Sequence, residues 1–344
     1  MIPHVVFTTP IEADLVETLV RDHPDFNFTY PAHLLAGPRY PAEHRYPEFE
    51  SLSSDDQREW EELLASADIL FDFGPARLRP QLADRPRLRW IQTSSSGVGA
   101  LVERIGLAAR PEPIVTTASG VHAGPIAEFV VLAMLWFLKN GPLLMQRQRE
   151  HIWQRLALNE LAGTTATIVG LGRVGGTIAA KCRALGVETI GFGRRPRSDA
   201  GGPGTGTYLT IESLDEWLPR ADFAILCLPD TPSTAQLFDA VRLAKLPPTS
   251  VLINVGRGTA VDEPALIDAL QAGRLAGAAL DVVAKEPLDS GSPLWDMPQV
   301  LVTPHSISTV PAENGRIVEI FDENLTRFSE GKPLRNQLDK QAGY

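Results

Sequence analysis

Three residues suited to proton transfer and charge stabilisation each follow an apolar run by a few positions. Arg257 comes after Val251-Leu252-Ile253-Asn254-Val255-Gly256, with Gly258 keeping the space beside it open. Glu286 comes after Ala279-Leu280-Asp281-Val282-Val283-Ala284-Lys285 and precedes Pro287, and His305 comes after Leu301-Val302-Thr303-Pro304. Histidine exchanges a proton near neutral pH, a neighbouring carboxylate favours an imidazolium, and arginine stabilises charge that develops on an oxygen. Singly, each has a plainer reading: a capping histidine, a Glu-Pro loop, an Arg-Gly turn. The apolar runs read as strands, however, and a parallel sheet gathers all its C-terminal strand ends along one edge. There the three side chains can meet.

What must position them is the stretch 165–195. A run of β character enters Gly170-Leu171-Gly172-Arg173-Val174-Gly175, a helical run leaves it, and a second apolar run follows Gly186. In that context the GxGxxG pattern predicts a dinucleotide-binding turn. Gly170 permits the tight turn, Gly172 lets the backbone approach a pyrophosphate, and Gly175 lets helix and strand pack closely. The first-turn N–H groups of such a helix point at the anion. An NAD site usually ends its second strand in Asp or Glu; here that end reads Phe192-Gly193-Arg194-Arg195-Pro196-Arg197. Guanidinium groups can grip a 2′-phosphate that a carboxylate would repel. NADP(H) is therefore the expected cofactor, with NAD(H) possible.

The remaining pattern is α/β. Strands are expected at 5–8, 26–30, 68–73, 88–93 and 114–118, and again at 167–169, 189–192, 223–228, 251–255, 277–282 and 300–303. Helices are expected at 11–21, 55–65, 125–138 and 312–330, and strands alternating with helices imply parallel sheets. Ser94-Ser95-Ser96-Gly97-Val98-Gly99 is a small-residue loop at a strand's C-terminal end, a place for an anionic ligand. The segment 125–138, apolar on nearly all sides with Glu128 in its first turn, should be buried between domains or subunits. Residues 198–207 read as a Gly-rich mobile surface loop.

The 344 residues suffice for about two domains, and a formal charge of −10 argues against nucleic-acid or anionic-membrane binding. Cys182 and Cys227 read as buried free thiols of a reducing compartment, neither disulfide nor metal ligands. The opening residues lack the charged start and long core of a signal peptide, and the longest apolar run is too short to span a bilayer. A cytoplasmic protein without a metal is expected.

The segments 170–175, 228–234, 254–258, 279–287 and 293–305, in that order, resemble the D-isomer-specific 2-hydroxyacid dehydrogenase family. The resemblance is dense from Pro125 to His305 and looser through the N-terminal third. It implies two doubly wound parallel-sheet domains: a Rossmann cofactor domain, 122–306, inserted into a flavodoxin-like substrate domain, 1–121 with 307–344. It implies a homodimer formed through the helix near Pro125. It makes His305 the acid/base, Glu286 its partner, and Arg257 the group that holds and polarises a small 2-oxo or 2-hydroxy acid. Ser96, Gly97 and Val98 would bind the substrate carboxylate and Asp281 the nicotinamide carboxamide. Arg173, Val174, Leu228, Pro229, Thr234 and Val255 would line the cofactor site with the glycines and Arg194 and Arg195. Glyoxylate/hydroxypyruvate reductases are the nearest type. Rivals are a member acting on a bulkier 2-oxo acid and a non-catalytic dinucleotide-sensing, corepressor-like protein. Two positions depart from the family's usual pattern: Gly99 stands where many members have Asp, and Gly193 stands in place of the acidic cofactor selector.

Overall fold

Short runs of branched and aromatic residues, bounded by polar or turn-forming ones, make strands that are buried in the middle of each sheet and only partly covered at its outer edges. The computed structural model describes residues 2–194 and 206–343. It divides into two units, 1–122 with 309–344, and 123–308.

The first unit holds β1 (His4–Phe7), α1 (Ala13–Asp22), β2 (Asn27–Thr29), α2 (Ser54–Ser66), β3 (Ile69–Phe71), β4 (Trp90–Gln92), α3 (Gly99–Arg104) and β5 (Ile114–Thr116). Its sheet runs β2-β1-β3-β4-β5, parallel at every pairing, the flavodoxin-like order. Ser53 caps α2 by accepting from Asp56 N–H at 3.1 Å, with Asp55 and Asp56 complementing the helix dipole. The helix Glu313–Ser329, far along the chain, returns to this unit and lays Ile317, Phe321 and Leu325 on Phe7, Phe71 and Trp90. The Phe321 ring centroid lies 5.1 Å from those of both Phe71 and Trp90. A buried aromatic of this kind is worth about 1.5–3 kcal/mol.

The second unit holds α4 (Ala123–Leu138), α5 (Gly141–Arg149), β6 (Thr165–Val169), α6 (Arg173–Ala184), β7 (Glu188–Gly193), β8 (Thr207–Thr210), β9 (Phe223–Leu226), β10 (Val251–Asn254), α7 (Glu263–Gln271), β11 (Gly277–Leu280) and β12 (Val300–Val302). The sheet order is β12-β11-β10-β9-β6-β7-β8, again parallel. The chain leaves β6 toward β7 on one side and returns to β9 on the other. The topological switch point thus lies between β6 and β9, where open α/β sheets bind their ligands. Both sheets are of the doubly wound kind expected.

Several expectations need correcting. Glu128 falls in the second turn of α4, since the helix begins at Ala123, and it accepts an ion pair from Lys181 at 2.9 Å. The helix is not covered on all sides within the chain: Ala127, Val130, Ala133 and Met134 are buried, but Leu132 is 55% exposed. Its apolar residues exceed what this unit's core can cover. The loop expected at 198–207 lies outside the described residues up to 205, and Thr207 already begins β8. Cys227 is partly exposed rather than buried; both thiols are free, and burial pushes that of Cys182 up to about 11.

Candidate active site

The glycine turn sits at the switch point as its spacing requires. Gly170 has φ of +99°, the left-handed region that favours glycine, and its N–H donates to Phe192 O at 2.9 Å. A Cβ on Gly170 would come 2.6 Å from Cys227 O, and one on Gly175 would come 2.3 Å from Gly170 O. Both close approaches exclude any side chain. Gly172, the N-cap of α6, faces open space instead, with nothing within 4 Å of its Cβ position. A turn packed tightly behind and open in front fits a pyrophosphate. Arg173 and Val174 occupy the first turn of α6, whose ladder begins with Gly176 N–H donating to Gly172 O at 2.8 Å.

Along the same edge, Leu228 and Pro229 leave β9 into a turn closed by Thr234. The Thr234 hydroxyl donates to Pro229 O at 2.7 Å and accepts from Thr231 N–H at 3.0 Å. Val255 is buried just beyond β10. At the end of β7, Arg194 is exposed, while Arg195 and Arg197 lie outside the described residues. A Cβ on Gly193 would sit 2.0 Å from the Tyr208 hydroxyl, so a side chain there would have to displace that ring. Tyr208 belongs to β8, an element hidden from sequence reasoning, so its part in this corner was not legible.

Asn254, Leu280 and Val302 are register partners on adjacent strands, so Arg257, Glu286 and His305 all leave from one edge. His305 Nδ1 lies 2.8 Å from Glu286 Oε2, with both side chains about half exposed. Each partner is held by its own loop. Glu286 Oε1 accepts from Val283 N–H at 3.4 Å, and Glu263 at the start of α7 accepts from Ala284 N–H at 2.9 Å. The His305 backbone has φ of +50°, unusual for a residue with a side chain, and its N–H donates to Asp281 O at 2.9 Å. Asp281, 4% exposed, gives Oδ1 to the Thr303 hydroxyl at 2.7 Å and to Ser306 N–H at 3.0 Å. Asp281 therefore anchors the segment that carries His305. Arg257 is held by Asn254, whose amide donates to Arg257 O at 3.0 Å and accepts from Gly256 N–H at 3.1 Å. The Arg257 guanidinium donates to Gly256 O at 2.7 Å. Neither Asn254 nor the anchoring by Asp281 was visible in the sequence, because both are contacts across loops.

In the first unit, the 94–98 loop leaves β4 at its C-terminal end. Ser94 is buried and its hydroxyl donates to Asp72, whose other oxygen accepts from Phe73 N–H at 2.9 Å. Ser96 and Gly97 are exposed and Val98 is buried. Gly97 N–H already donates to Ser95 Oγ at a long 3.3 Å, a bond weak enough for an incoming anion to replace. Asp72 is a further residue that sequence reasoning missed. Its strand ending, Phe71-Asp72-Phe73, gives no sign that the carboxylate turns inward.

Comparison with known proteins adds the following. Residues 131–306 match the family model described as D-isomer specific 2-hydroxyacid dehydrogenase, NAD binding domain. A D-3-phosphoglycerate dehydrogenase of Mycobacterium tuberculosis is 36% identical over 238 residues, 68% of this chain but only 44% of that longer protein. A D-isomer specific 2-hydroxyacid dehydrogenase from Xanthobacter autotrophicus, solved with NADPH and MES, is similar over all of both chains, with 29% identity and a TM-score of 0.79. An NADPH-dependent glyoxylate/hydroxypyruvate reductase from Sinorhizobium meliloti, solved with NADP and sulfate, covers 99% of this chain and 100% of its own, with 28% identity and a TM-score of 0.76.

Proposed function

From the premise that the chain belongs to the D-isomer specific 2-hydroxyacid dehydrogenase family, and is thus an NAD(P)-dependent oxidoreductase, we propose that it is an NADPH-preferring reductase of small 2-oxo acids such as glyoxylate and hydroxypyruvate. The observation that carries this reading is the His305–Glu286 pair, 2.8 Å apart, on the sheet edge that also holds the glycine turn. The unit 123–308 is the cofactor unit, and the unit built from both chain ends is the substrate unit.

The reduced nicotinamide, when bound, supplies the hydride that reaches C2 of the oxo acid. Negative charge then builds on the carbonyl oxygen. Arg257 holds and polarises that oxygen, and His305 donates the proton to it. Glu286 takes the Nδ1 side of the ring, which fixes the ring's orientation and leaves Nε2 for the substrate. Asp281 keeps the His305 segment in place, so the proton donor does not have to be ordered when substrate arrives. Ser96, Gly97 and Val98 bind the substrate carboxylate through backbone N–H groups. Gly193 and Arg194 favour a 2′-phosphate over a bare ribose, with Arg195 as a further contact. NADP(H) in two similar structures supports this preference.

We extend the proposal to a homodimer, since Leu132 on α4 and Ile152 and Trp153 beyond α5 are 55%, 46% and 101% exposed. No single described helix is long and apolar enough to cross a membrane. The two free thiols suit a reducing compartment, which we take to be the cytoplasm.

The test is oxidation of NADPH and of NADH with glyoxylate, hydroxypyruvate, pyruvate and phenylpyruvate. Turnover of the two small acids with NADPH ahead of NADH is expected. Preference for phenylpyruvate would move the substrate to a bulkier acid, and binding of NADPH with no turnover would favour a sensing role.

A further inference from the structure

Beyond the helix Glu313–Ser329, the chain does not trail away from the first unit. Asn336 binds at the open edge of β5: its backbone carbonyl accepts from Thr117 N–H at 3.0 Å, and its side-chain Nδ2 donates to Ser119 O at 2.8 Å. Gln337 bridges Thr116 in antiparallel sense, and Leu338 N–H donates to Val115 O at 2.8 Å. Leu338 is 5% exposed and belongs to the cluster that contains Val98 and Val102. The Lys340 ammonium donates to three carbonyls, those of Arg110, Pro111 and Pro113, at 2.9, 3.4 and 2.6 Å. Asp339 then closes a turn by accepting from Gln341 and Ala342 N–H at 3.0 and 2.9 Å, and Gly343 N–H donates to Asp339 O at 2.8 Å.

The turn ends against the residue that directly follows the 94–98 loop. A Cβ on Gly99, the first residue of α3, would lie 2.0 Å from Gly343 O and 2.8 Å from Gly343 Cα. No backbone-to-Cβ contact is that short, so these two glycines meet only because residue 99 has no side chain. Gly343 in turn has φ of +78°, a conformation that glycine takes without strain. Each partner thus has its own reason to be glycine, one for room and one for backbone shape. Leu338, in the same buried cluster as Val98, and Gly343, against Gly99, tie the tail to this loop and to the start of α3.

We propose that residues 336–343 are a positioning clamp for the 94–98 loop, fixing the backbone N–H groups that receive the carboxylate of a 2-oxo acid. The proposal rests on the reading of that loop as the carboxylate site. The clamp touches neither substrate nor cofactor, so it acts on substrate affinity by preorganising the loop. Lost preorganisation raises KM and leaves the chemical step alone.

The experiment compares four proteins: the full chain, a chain ending at Leu338, Gly99→Ala, and Gly99→Ala in the shortened chain. KM for glyoxylate, kcat and NADPH affinity by fluorescence titration are measured for each. Shortening is expected to raise KM about 10-fold, the effect of one weakened charged hydrogen bond, with kcat and NADPH affinity kept within about 2-fold. Gly99→Ala in the full chain should do the same by displacing Gly343. In the shortened chain it should add nothing further, because its clash partner is gone. A shortened chain with wild-type KM overturns the clamp, as do additive effects of the two changes or a fall of kcat and NADPH affinity in step with KM. Gly97→Val separates the two layers of the argument. If Gly97→Val raises KM and shortening does not, only the clamp fails; if Gly97→Val leaves KM unchanged, the carboxylate reading fails and takes the clamp with it.

Discussion

His305 shows what a single residue can and cannot disclose. Its type and its place after Thr303-Pro304 were readable, as was the nearby Glu286, because proton chemistry needs those side chains and little else supplies them. That its backbone sits at φ +50°, tied to Asp281, was not readable, since Asp281 is 24 positions away and joins it only through the fold. Backbone held outside the common regions tends to gather at functional sites, where the surroundings over-determine it. Arg194 carries the residue-scale prediction. If its guanidinium grips the 2′-phosphate, Arg194→Ala should weaken NADPH binding by about 10- to 150-fold, the loss of one charged hydrogen bond, and leave NADH binding nearly unchanged. Fluorescence titration with both cofactors checks this, and equal losses for the two would remove Arg194 from the role.

Among the elements, the strands were legible to within a few residues because each is an apolar run with polar borders. Helices α3, α5 and α7 were not, being short. Strand β8 was missed because Thr207-Tyr208-Leu209-Thr210 follows a Gly-rich stretch whose composition dominated the reading. Loops between elements hold the His305–Glu286 pair, and their packing is unforgiving at Gly258. A Cβ there would lie 1.8 Å from Val283 O, on the loop that presents Glu286. Gly258→Ala should therefore push that loop outward. It should cost about 1–3 kcal/mol of stability through overpacking and lower kcat, while NADPH affinity stays near wild type. Thermal unfolding and steady-state kinetics read the two effects; unchanged kcat would show that the 282–286 loop does not need its seat on Gly258.

For the molecule as a whole, the sequence disclosed two parallel α/β sheets and a chain that returns to its first unit, since those follow from element order. It did not disclose the buried polar groups that set the response to acid. His44 in the first unit has Nδ1 3.3 Å from the Thr9 hydroxyl and a buried Nε2 with no hydrogen-bond partner among the described residues. Burial lowers its pKa, and the carboxylates of Asp72, Glu313 and Glu12 oppose that only in part. The unfolded chain therefore binds a proton at His44 more readily than the folded one. Its share of stability is complete above the unfolded value, about pH 6.5, and is lost as the pH falls toward the lower folded value. His44→Asn should flatten the decline of Tm between about pH 6.5 and 5 relative to wild type. Parallel Tm–pH curves for the two proteins would assign the acid sensitivity elsewhere.

The central claim is that His305 gives its proton to a 2-oxo acid. The most direct test is kcat/KM against pH in both directions, on wild type and on His305→Ala. Reduction needs the imidazolium and should fall as pH rises, whereas oxidation of the hydroxy acid needs the neutral ring and should rise. His305→Ala should abolish both trends and lower kcat by about 10²–10⁴ while still binding NADPH. The same pH trend in both directions, or a His305→Ala protein that keeps wild-type kcat, would contradict the account.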